Sequence, residues 1–448
     1  MSQAYAVSVS GSRSFAPDLP VRPTRQPAIV GVYHLTPYPE SATVRDRAPL
    51  IPALILGGPW TITVSIIRSL GRNRIPLFAT GTDGSFVSYS RWHRAAPAAW
   101  GTPSSTALSE FLMNLPIDRM VVIPCTDEWA LAVAEVRAAV ATRFPASLAS
   151  AQSLGALIDK GRFARLLEEL DIPHPRTVCL GDGQDWADVG RDAFASAFLK
   201  PCNSMAFRRR YGVKGLHFKT RSEAIALALD AQRVGLDVLL QEYVPGPPTH
   251  HYMVEGFVDR TGRSCARFVR QRLRMYPFDF GDSTYMVSAP LDRVHAAVKC
   301  LDRLFAHLSY RGVFEAEFKY DERDGQFKLL EVNARPWAFI GFAADCGVDL
   351  NAMAYWDALN VSIEPAKTYK VGRHCMVGAD RFACWTLFRQ GRLTLWSWLR
   401  EWVGARHLLF SWSDPLPGLA RFMQYLRLAI VGRLARSERT ARTTTRSA

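Results

Sequence analysis

The chain has 448 residues, 48% hydrophobic and 21% charged, with a formal net charge of +14 at neutral pH. That balance excludes wholesale disorder and leaves room for two or three domains, each with its own core. No run approaches the ~18 uninterrupted apolar residues that a spanning helix needs, so a polytopic membrane protein is excluded as well.

The charge is local. From Ala366 to Ala448 there are 15 Lys and Arg against 4 Asp and Glu, so most of the excess belongs to one end and says little about what the main body binds. Residues 1–50 are rich in Pro, Ser and Arg, and Pro17, Pro20, Pro23, Pro27, Pro37 and Pro39 break any regular period. They read as a disordered leader. Having neither a basic start nor a continuous apolar core, they carry no expected secretion signal, and a cytoplasmic location is the expectation. The eight cysteines form no CxxC pair and no zinc-ribbon spacing, and they read as buried thiols without assigned chemistry.

Over 51–150, ALILG (53–57) is a short buried-strand pattern, followed by a glycine turn and a helical run from Trp60 to Leu70. Apolar runs at 75–78 and 120–124 follow at helix-length intervals, which is the rhythm of a parallel, Rossmann-like sheet. Gly57-Gly58 lacks the GxGxxG spacing and the later acidic residue of a dinucleotide site, so it reads as structural. Next, DKGRFARLLEELDIPHPRT (159–177) is an amphipathic helix opened by Lys160, with Phe163, Leu166, Leu167 and Leu170 on one face.

Lys200 ends the apolar run AFASAFLKP, where a cation at a strand terminus can reach a phosphate. VLLQEYVPG (238–246) is a strand running into a Pro-Gly break, whose backbone can pair with an adenine edge. A solvated lysine and an ordinary sheet edge describe the same residues. In RFVRQRLRMYPFDFGDSTY (267–285), Arg270, Arg272 and Arg274 alternate along a strand and suit either an acidic substrate or a solvated face.

From Tyr310 the sequence reads YRGVFEAEFKYDERDGQFKLLEVNARPW, a hairpin turning at Asp324-Gly325. Alternation puts Glu315, Glu317 and Lys319 on one face of the first strand, and Glu331, Asn333 and Arg335 on one face of the second. Two carboxylates and an amide that converge across a pair suit magnesium, whose shell is usually completed by water and substrate phosphates. Cross-strand ion pairs on an exposed face are the alternative. Glu315 could assist the metal or pair with Lys319 or Arg311.

Taken together, DKxxFxxLLEELxIPxPxT, KPxxS, QEYVPG and the closing ExEFKxDxxDGxxKLLEVNARPW resemble the ATP-grasp superfamily, and within it the branch of D-aspartate ligase-like carboxylate-amine ligases. The resemblance covers roughly residues 54–360. It implies a mixed α/β and α+β fold: a Rossmann-like preATP-grasp domain at 51–150, then a two-lobed ATP-grasp catalytic domain at 151–365, with a helical C-terminal extension at 366–448. It further implies ATP with magnesium, or manganese in its place. Lys160, Lys200, Ser204 and Lys214 become phosphate-side residues, and Gln241, Glu242, Tyr243 and Val244 become the adenine hinge. Glu317, Glu331 and Asn333 become the metal ligands, with Arg335 and Arg272 facing the reacting groups.

The lid region CNSMAFRRRYGVKGLHF departs from the family pattern. It has only Gly212 and Gly215 where a glycine-rich loop is usual, and Arg208, Arg209 and Arg210 read either as phosphate clamps or as solvated charges. After the hinge, Pro247-Pro248-Thr249-His250 offers no acid for the ribose.

In the extension, Leu395, Trp398, Leu399, Trp402 and Val403 keep helical spacing, as do Leu419, Phe422, Met423, Leu426 and Ile430, with Arg421, Arg427 and Arg433 outside. Such basic helices either pack on the body or lie on an anionic membrane as a peripheral contact. SERTARTTTRSA reads as a disordered end. The substrates implied are a small-molecule carboxylate and an amine joined by ligation. The same residues also fit a phosphoryl-transfer or carboxylase-type enzyme, or a non-catalytic nucleotide-binding protein docked by its tail. No motif supports specific nucleic-acid binding. On this reading Arg272→Ala lowers turnover far more than folding stability, as parallel kinetics and thermal melts would show.

Overall fold

The computed structural model describes residues 50–427 apart from 59, 83, 97–102, 180–184, 187–188, 203–206, 208–209 and 279. The expected disordered leader and basic end therefore lie outside the described residues, as do Ser204, Arg208 and Arg209.

β1 (Ala53–Leu56), β2 (Leu77–Ala79) and β3 (Val121–Pro124) form a parallel sheet in the order β2-β1-β3. α1 (Trp60–Arg72) and α2 (Ser105–Met113) provide the crossovers; α3 (Asp127–Ala134) and α4 (Ala138–Arg143) follow. The strands are apolar throughout because both faces are covered. Both glycines of the β1–α1 turn have positive φ. A Cβ on Gly57 would lie 2.5 Å from Trp129 Nε1, and one on Gly58 2.5 Å from Cys125 Cβ, so they permit close packing against the start of α3.

α5 (Ala151–Ile158) and α6 (Lys160–Glu169) come next. The Asp159 carboxylate caps α6 by accepting from the amides of Gly161 and Arg162. A small antiparallel sheet, ordered β4-β6-β5, then forms from β4 (Thr177–Val178), β5 (Ala197–Pro201) and β6 (Val238–Glu242), with α7 (Arg221–Arg233) between β5 and β6. Leu199, Leu240, Ala224 and Ala228 are buried together in its core.

The large sheet has seven strands in the order β11-β10-β7-β8-β9-β12-β13. Its members are β7 (His251–Val258), β8 (Ser264–Tyr276), β9 (Asp282–Ser288), β10 (Gly312–Asp321), β11 (Gln326–Asn333), β12 (His374–Met376) and β13 (Arg406–His407). Alternation sorts its residues between the bulges: Val254, Val269, Phe314, Ala316 and Phe318 pack against α8 (His295–His307) on one face. The opposite face is apolar at one end, where Phe257, Phe268 and Val313 meet α9 (Ile340–Asp345) and α10 (Leu350–Ala358), and polar over the rest.

A boundary near 365, expected from the sequence, does not separate two packing units. β12 and β13 come from beyond it and extend the large sheet, and the chain from Leu50 onward forms one unit. α11 (Asp380–Arg389) and α12 (Leu395–Gly404) are carried with those strands. The tail also reaches back to α1 and the segment after β2. The buried Asp414 carboxylate accepts from Arg68 Nε at 3.1 Å, Ser90 Oγ at 2.9 Å and the Arg91 amide at 3.0 Å. Truncation at Ala366 would thus strip two strands and orphan a buried guanidinium. No helix among the described residues is long and apolar enough to cross a membrane. Asp414→Ala is expected to destabilise the fold by about 3–5 kcal/mol, since it leaves the buried Arg68 charge uncompensated; chemical denaturation would measure the loss.

Candidate active site

Between the small sheet and the polar face of the large one lies a cleft of about 730 Å³. Of the residues expected to act, Lys160, Lys200, Lys214, Gln241, Glu242, Tyr243, Val244, Arg272, Glu317, Glu331, Asn333 and Arg335 all line it.

The large-sheet wall is built by register. Glu317 stands opposite Glu331, and Glu315 opposite Asn333, across β10 and β11; Glu315 is also opposite Glu255 on β7. The register shifts between Glu317 and Phe318, so a bulge next to the two glutamates keeps Leu329 in the core while Glu331 and Asn333 turn into the cleft. The Asn333 amide donates to Glu315 Oε2 at 3.0 Å and to Glu331 Oε1 at 3.2 Å, tying the two strands' oxygens together.

So many carboxylates on one face need cations, and β8 supplies them. Arg270, buried, bridges Glu255 and Glu315 through Nε and a terminal nitrogen while stacking over the Phe339 ring. Arg272 donates to Glu317 Oε1 at 2.9 Å and to Ser283 Oγ at 2.8 Å. Glu315, which the sequence left open between assisting the metal and pairing with Lys319 or Arg311, pairs with Arg270 and Asn333; Lys319 lies over the Tyr243 ring at 5.1 Å. Arg270, Arg272 and Arg274 do not form one cationic face. Bulges around Leu273 separate Arg274, which is clamped by Asp380 and Glu401 of the C-terminal helices and stands outside the cleft lining.

The cluster's protonation follows from burial and pairing. Burial pushes the Glu255 carboxyl up to about 8, with Glu315 adding to the rise and Arg270 opposing it. Glu315 is raised by burial too. Burial would raise Glu317 as well, but Arg272 and the hydrogen bond from His251 hold it well below the usual carboxylate range. His251 is lowered to about 4 by burial and by Arg272, so at neutral pH it is uncharged. Its Nδ1, 2.9 Å from Glu317 Oε1, must then carry the proton that it donates.

The opposite wall is cationic. Lys160 Nζ donates to the Cys202 carbonyl at 2.8 Å, and Lys200 Nζ to Gln241 Oε1 at 3.0 Å. Burial lowers the Lys200 pKa, and Glu331 partly offsets this. Lys214 pairs with Asp282 at the start of β9, linking the segment after β5 to the large sheet across the cleft. Beside this pair Phe280 stacks on His217 with centroids 4.6 Å apart and meets Phe198 at 4.5 Å, a second contact over the opening. At the hinge, the amides of Glu242 and Tyr243 donate to the Arg176 and Ser196 carbonyls. The Glu242 carboxylate accepts from Arg323 and from the Arg176 amide, so it braces the hinge. Arg335 pairs with Asp127 at the first turn of α3, Nε to Oδ1 2.9 Å, and so ties the helix after the parallel sheet to the site.

Sequence reasoning missed Glu255, His251, Asp127 and the role of Arg270. Glu255 and His251 had a signal, since HYMVEGFV is otherwise apolar and both fall on the phase of Met253, which lines the cleft. Asp127 had none, because its partner is 208 residues away. Among the described residues no three His, Cys, Asp or Glu side chains gather as a metal-holding group. Glu317, Glu331 and Asn333 thus offer two carboxylates and an amide, a donor set that fits an ion completed by phosphate oxygens and water better than a closed protein cage.

The sequence is 22% identical to D-aspartate ligase of Enterococcus faecium over 227 residues, 48% of this chain and 53% of that protein. The chain thus spans about half the length of the curated relative it matches. Among solved structures, the fold is similar to L-amino acid ligase from Bacillus licheniformis, with a TM-score of 0.53 and 13% identity over 70% of this chain and 76% of that one. It is also similar to the biotin carboxylase domain of 2-oxoglutarate carboxylase from Hydrogenobacter thermophilus, solved with MgADP, ADP and bicarbonate. There the TM-score is 0.54 and the identity 12%, over 73% and 74% of the two chains. No family model matches the chain.

Because Arg272 is buried against Glu317, its truncation to alanine also carries a stability loss of about 1–3 kcal/mol. For Glu255, a folded pKa raised from 4.5 to about 8 means the native state holds a proton that the unfolded chain releases in that window. Stability contributed there falls as pH rises, by up to about 1.4 kcal/mol per unit. Glu255→Gln is expected to flatten that slope in thermal melts taken across the window; an unchanged slope would place the titration elsewhere.

Proposed function

We propose that this chain, whose fold is that of the ATP-grasp enzymes and whose sequence is similar to D-aspartate ligase, is an ATP-dependent ligase that activates a carboxylate as an acyl phosphate and joins it to an amine. The observation that carries this reading is the meeting, in one cleft, of Lys160, Lys200 and Lys214 with the Glu317, Glu331 and Asn333 oxygens. On this reading 51–150 is the preATP-grasp domain, the two sheets beyond it are the nucleotide-holding lobes, and the segment after 366 is a helical extension that completes the larger lobe.

A carboxylate is an anion and a poor electrophile, so its attack on the γ-phosphorus of ATP needs surrounding cations that screen repulsion and stabilise the spreading charge. Lys160, Lys200 and Lys214 line the phosphate side, and the hinge at Val244 offers the next backbone amide for a base edge after those of Glu242 and Tyr243. Glu317, Glu331 and Asn333 would hold magnesium, or manganese in its place, which would supply positive charge against the charge that develops on the phosphates. Arg335, oriented by Asp127, faces the transferred group or the substrate carboxylate, while Arg272 fixes the Glu317 carboxylate in place. The amine nitrogen then attacks the acyl carbon, phosphate departs, and the nitrogen gives up its proton. The Phe280 contact and the Lys214–Asp282 pair narrow the opening and limit water at the activated acyl group.

A carboxylase-type reaction uses the same residues and is supported by the fold's likeness to the biotin carboxylase domain. The purified protein, given ATP and pools of acids and amines, is expected to release ADP and phosphate stoichiometrically with a new amide seen by mass. Glu331→Ala should lower that turnover about a hundredfold or more. ADP release that depends on bicarbonate and needs no amine would favour the carboxylase reaction instead.

A further inference from the structure

The C-terminal helices turn their apolar sides the wrong way for a core. In α12 no residue is buried. Trp398 and Glu401 point inward, Trp398 Nε1 donating to Asp380 Oδ2 at 3.2 Å and Glu401 accepting from Arg274 at 2.7 Å. Leu395, Trp396, Leu399, Trp402 and Val403 fall in an arc of about 120° at ~100° per residue, on the other side. Trp396 is 79% exposed and Val403 77%. Residues 416–427 are helical and repeat the arrangement: Leu416, Leu419, Phe422, Met423 and Leu426 are exposed, whereas Arg421 turns inward over Phe86. Between the two helices Trp412 is 85% exposed, and on α11 Trp385 is 65% exposed. The elements adjoin, because Asp380 of α11 holds Trp398 and Arg381 lies over both Phe382 and Tyr425.

Charge is sorted as well. The three acids of 366–427, Asp380, Glu401 and Asp414, all turn inward to the arginines Arg274 and Arg68, which lie outside the segment. Arg381, Arg389, Arg392, Arg400 and Arg427 are exposed. An outward surface of tryptophan and aliphatic side chains interleaved with arginine, and carrying no outward acid among the described residues, matches an interface that is apolar beneath and anionic above. We propose that this face docks the protein on an anionic lipid bilayer, the aromatic side chains entering the headgroup boundary and the arginines meeting lipid phosphates.

The test uses the full chain, since truncation would strip β12 and β13. The protein is sedimented with vesicles of phosphatidylglycerol and phosphatidylcholine in equal parts, and with phosphatidylcholine alone. Strong partition onto the mixed vesicles is expected, falling about tenfold or more without the anionic lipid. Trp396→Ser combined with Val403→Ser should cut binding about tenfold, and Arg392→Gln combined with Arg400→Gln about fivefold for each arginine. Melting temperature and ATP turnover in solution should not change in either variant, because none of the four residues lines the cleft. Absence of partition onto mixed vesicles, or equal partition by the variants, would overturn the proposal. So would a dimer in light scattering that Trp396→Ser dissociates, which would give the face to a second copy of the chain.

Discussion

Four carboxylates, Glu255, Glu315, Glu317 and Glu331, share one face of three adjacent strands, and everything else at the site follows from how that crowding is made tolerable. Like charges directly opposite one another in a sheet repel, and burial strengthens the repulsion. β8, which adjoins β7, answers with Arg270 and Arg272 on the same face, two residues apart. Arg270 takes the two deepest acids, and Arg272 with neutral His251 takes Glu317. Glu331 differs, since among the described contacts its carboxylate receives only the Asn333 amide. Lys200, across the cleft, feels both Glu331 and Glu317.

The same logic ties the walls of the cleft together. Arg335 leaves the end of the acidic strand and pairs with Asp127, whose helix begins where the parallel sheet of the first domain ends. Lys214 reaches from the small lobe to Asp282, the first residue of β9. Both links are partly exposed ion pairs and add little stability on their own. Their value is positional, because they fix where a guanidinium and an ammonium stand relative to the oxygens without rigidly locking the opening.

The hairpin and its polar face were legible because a period of two is local information: Glu315, Glu317, Asn333 and Glu331 could be assigned to one side from spacing alone. The opening of α6 at Lys160 and the end of β5 near Lys200 were legible for the same reason, through caps and apolar runs. What spacing cannot give is the partner. Glu315 had equally good local candidates in Lys319 and Arg311, yet pairs with Arg270, 45 residues away, because β7 and β8 place that guanidinium below it. Arg274 shares its phase with Arg272 in sequence but not in space, since bulges around Leu273 break the alternation where the strand turns toward the C-terminal helices. Long-range pairing and bulges are tertiary facts that spacing along one segment does not encode.

The tail shows the same limit in another form. Helical periodicity reveals that Leu395, Trp398, Leu399, Trp402 and Val403 recur with the turn, but it has no sign: it identifies a stripe without saying which side of it is the interior. Here the interior is selected by polar anchors. Asp380, buried, gathers Arg274, Thr284, Cys384 and the Trp398 ring nitrogen, and Glu401 adds a second carboxylate on Arg274. A buried guanidinium without those acids would be strongly destabilising, so the side of α12 that carries Glu401 must face the sheet. The apolar residues on its far side are then exposed by default, and Trp398 is drawn in by its indole nitrogen while Trp402 is 46% exposed. β8 thus carries two separate sets of ion pairs: Arg270 and Arg272 balance the acids of the cleft, and Arg274, beyond the bulges, fixes which side of α12 faces the sheet and so which side carries its exposed tryptophans.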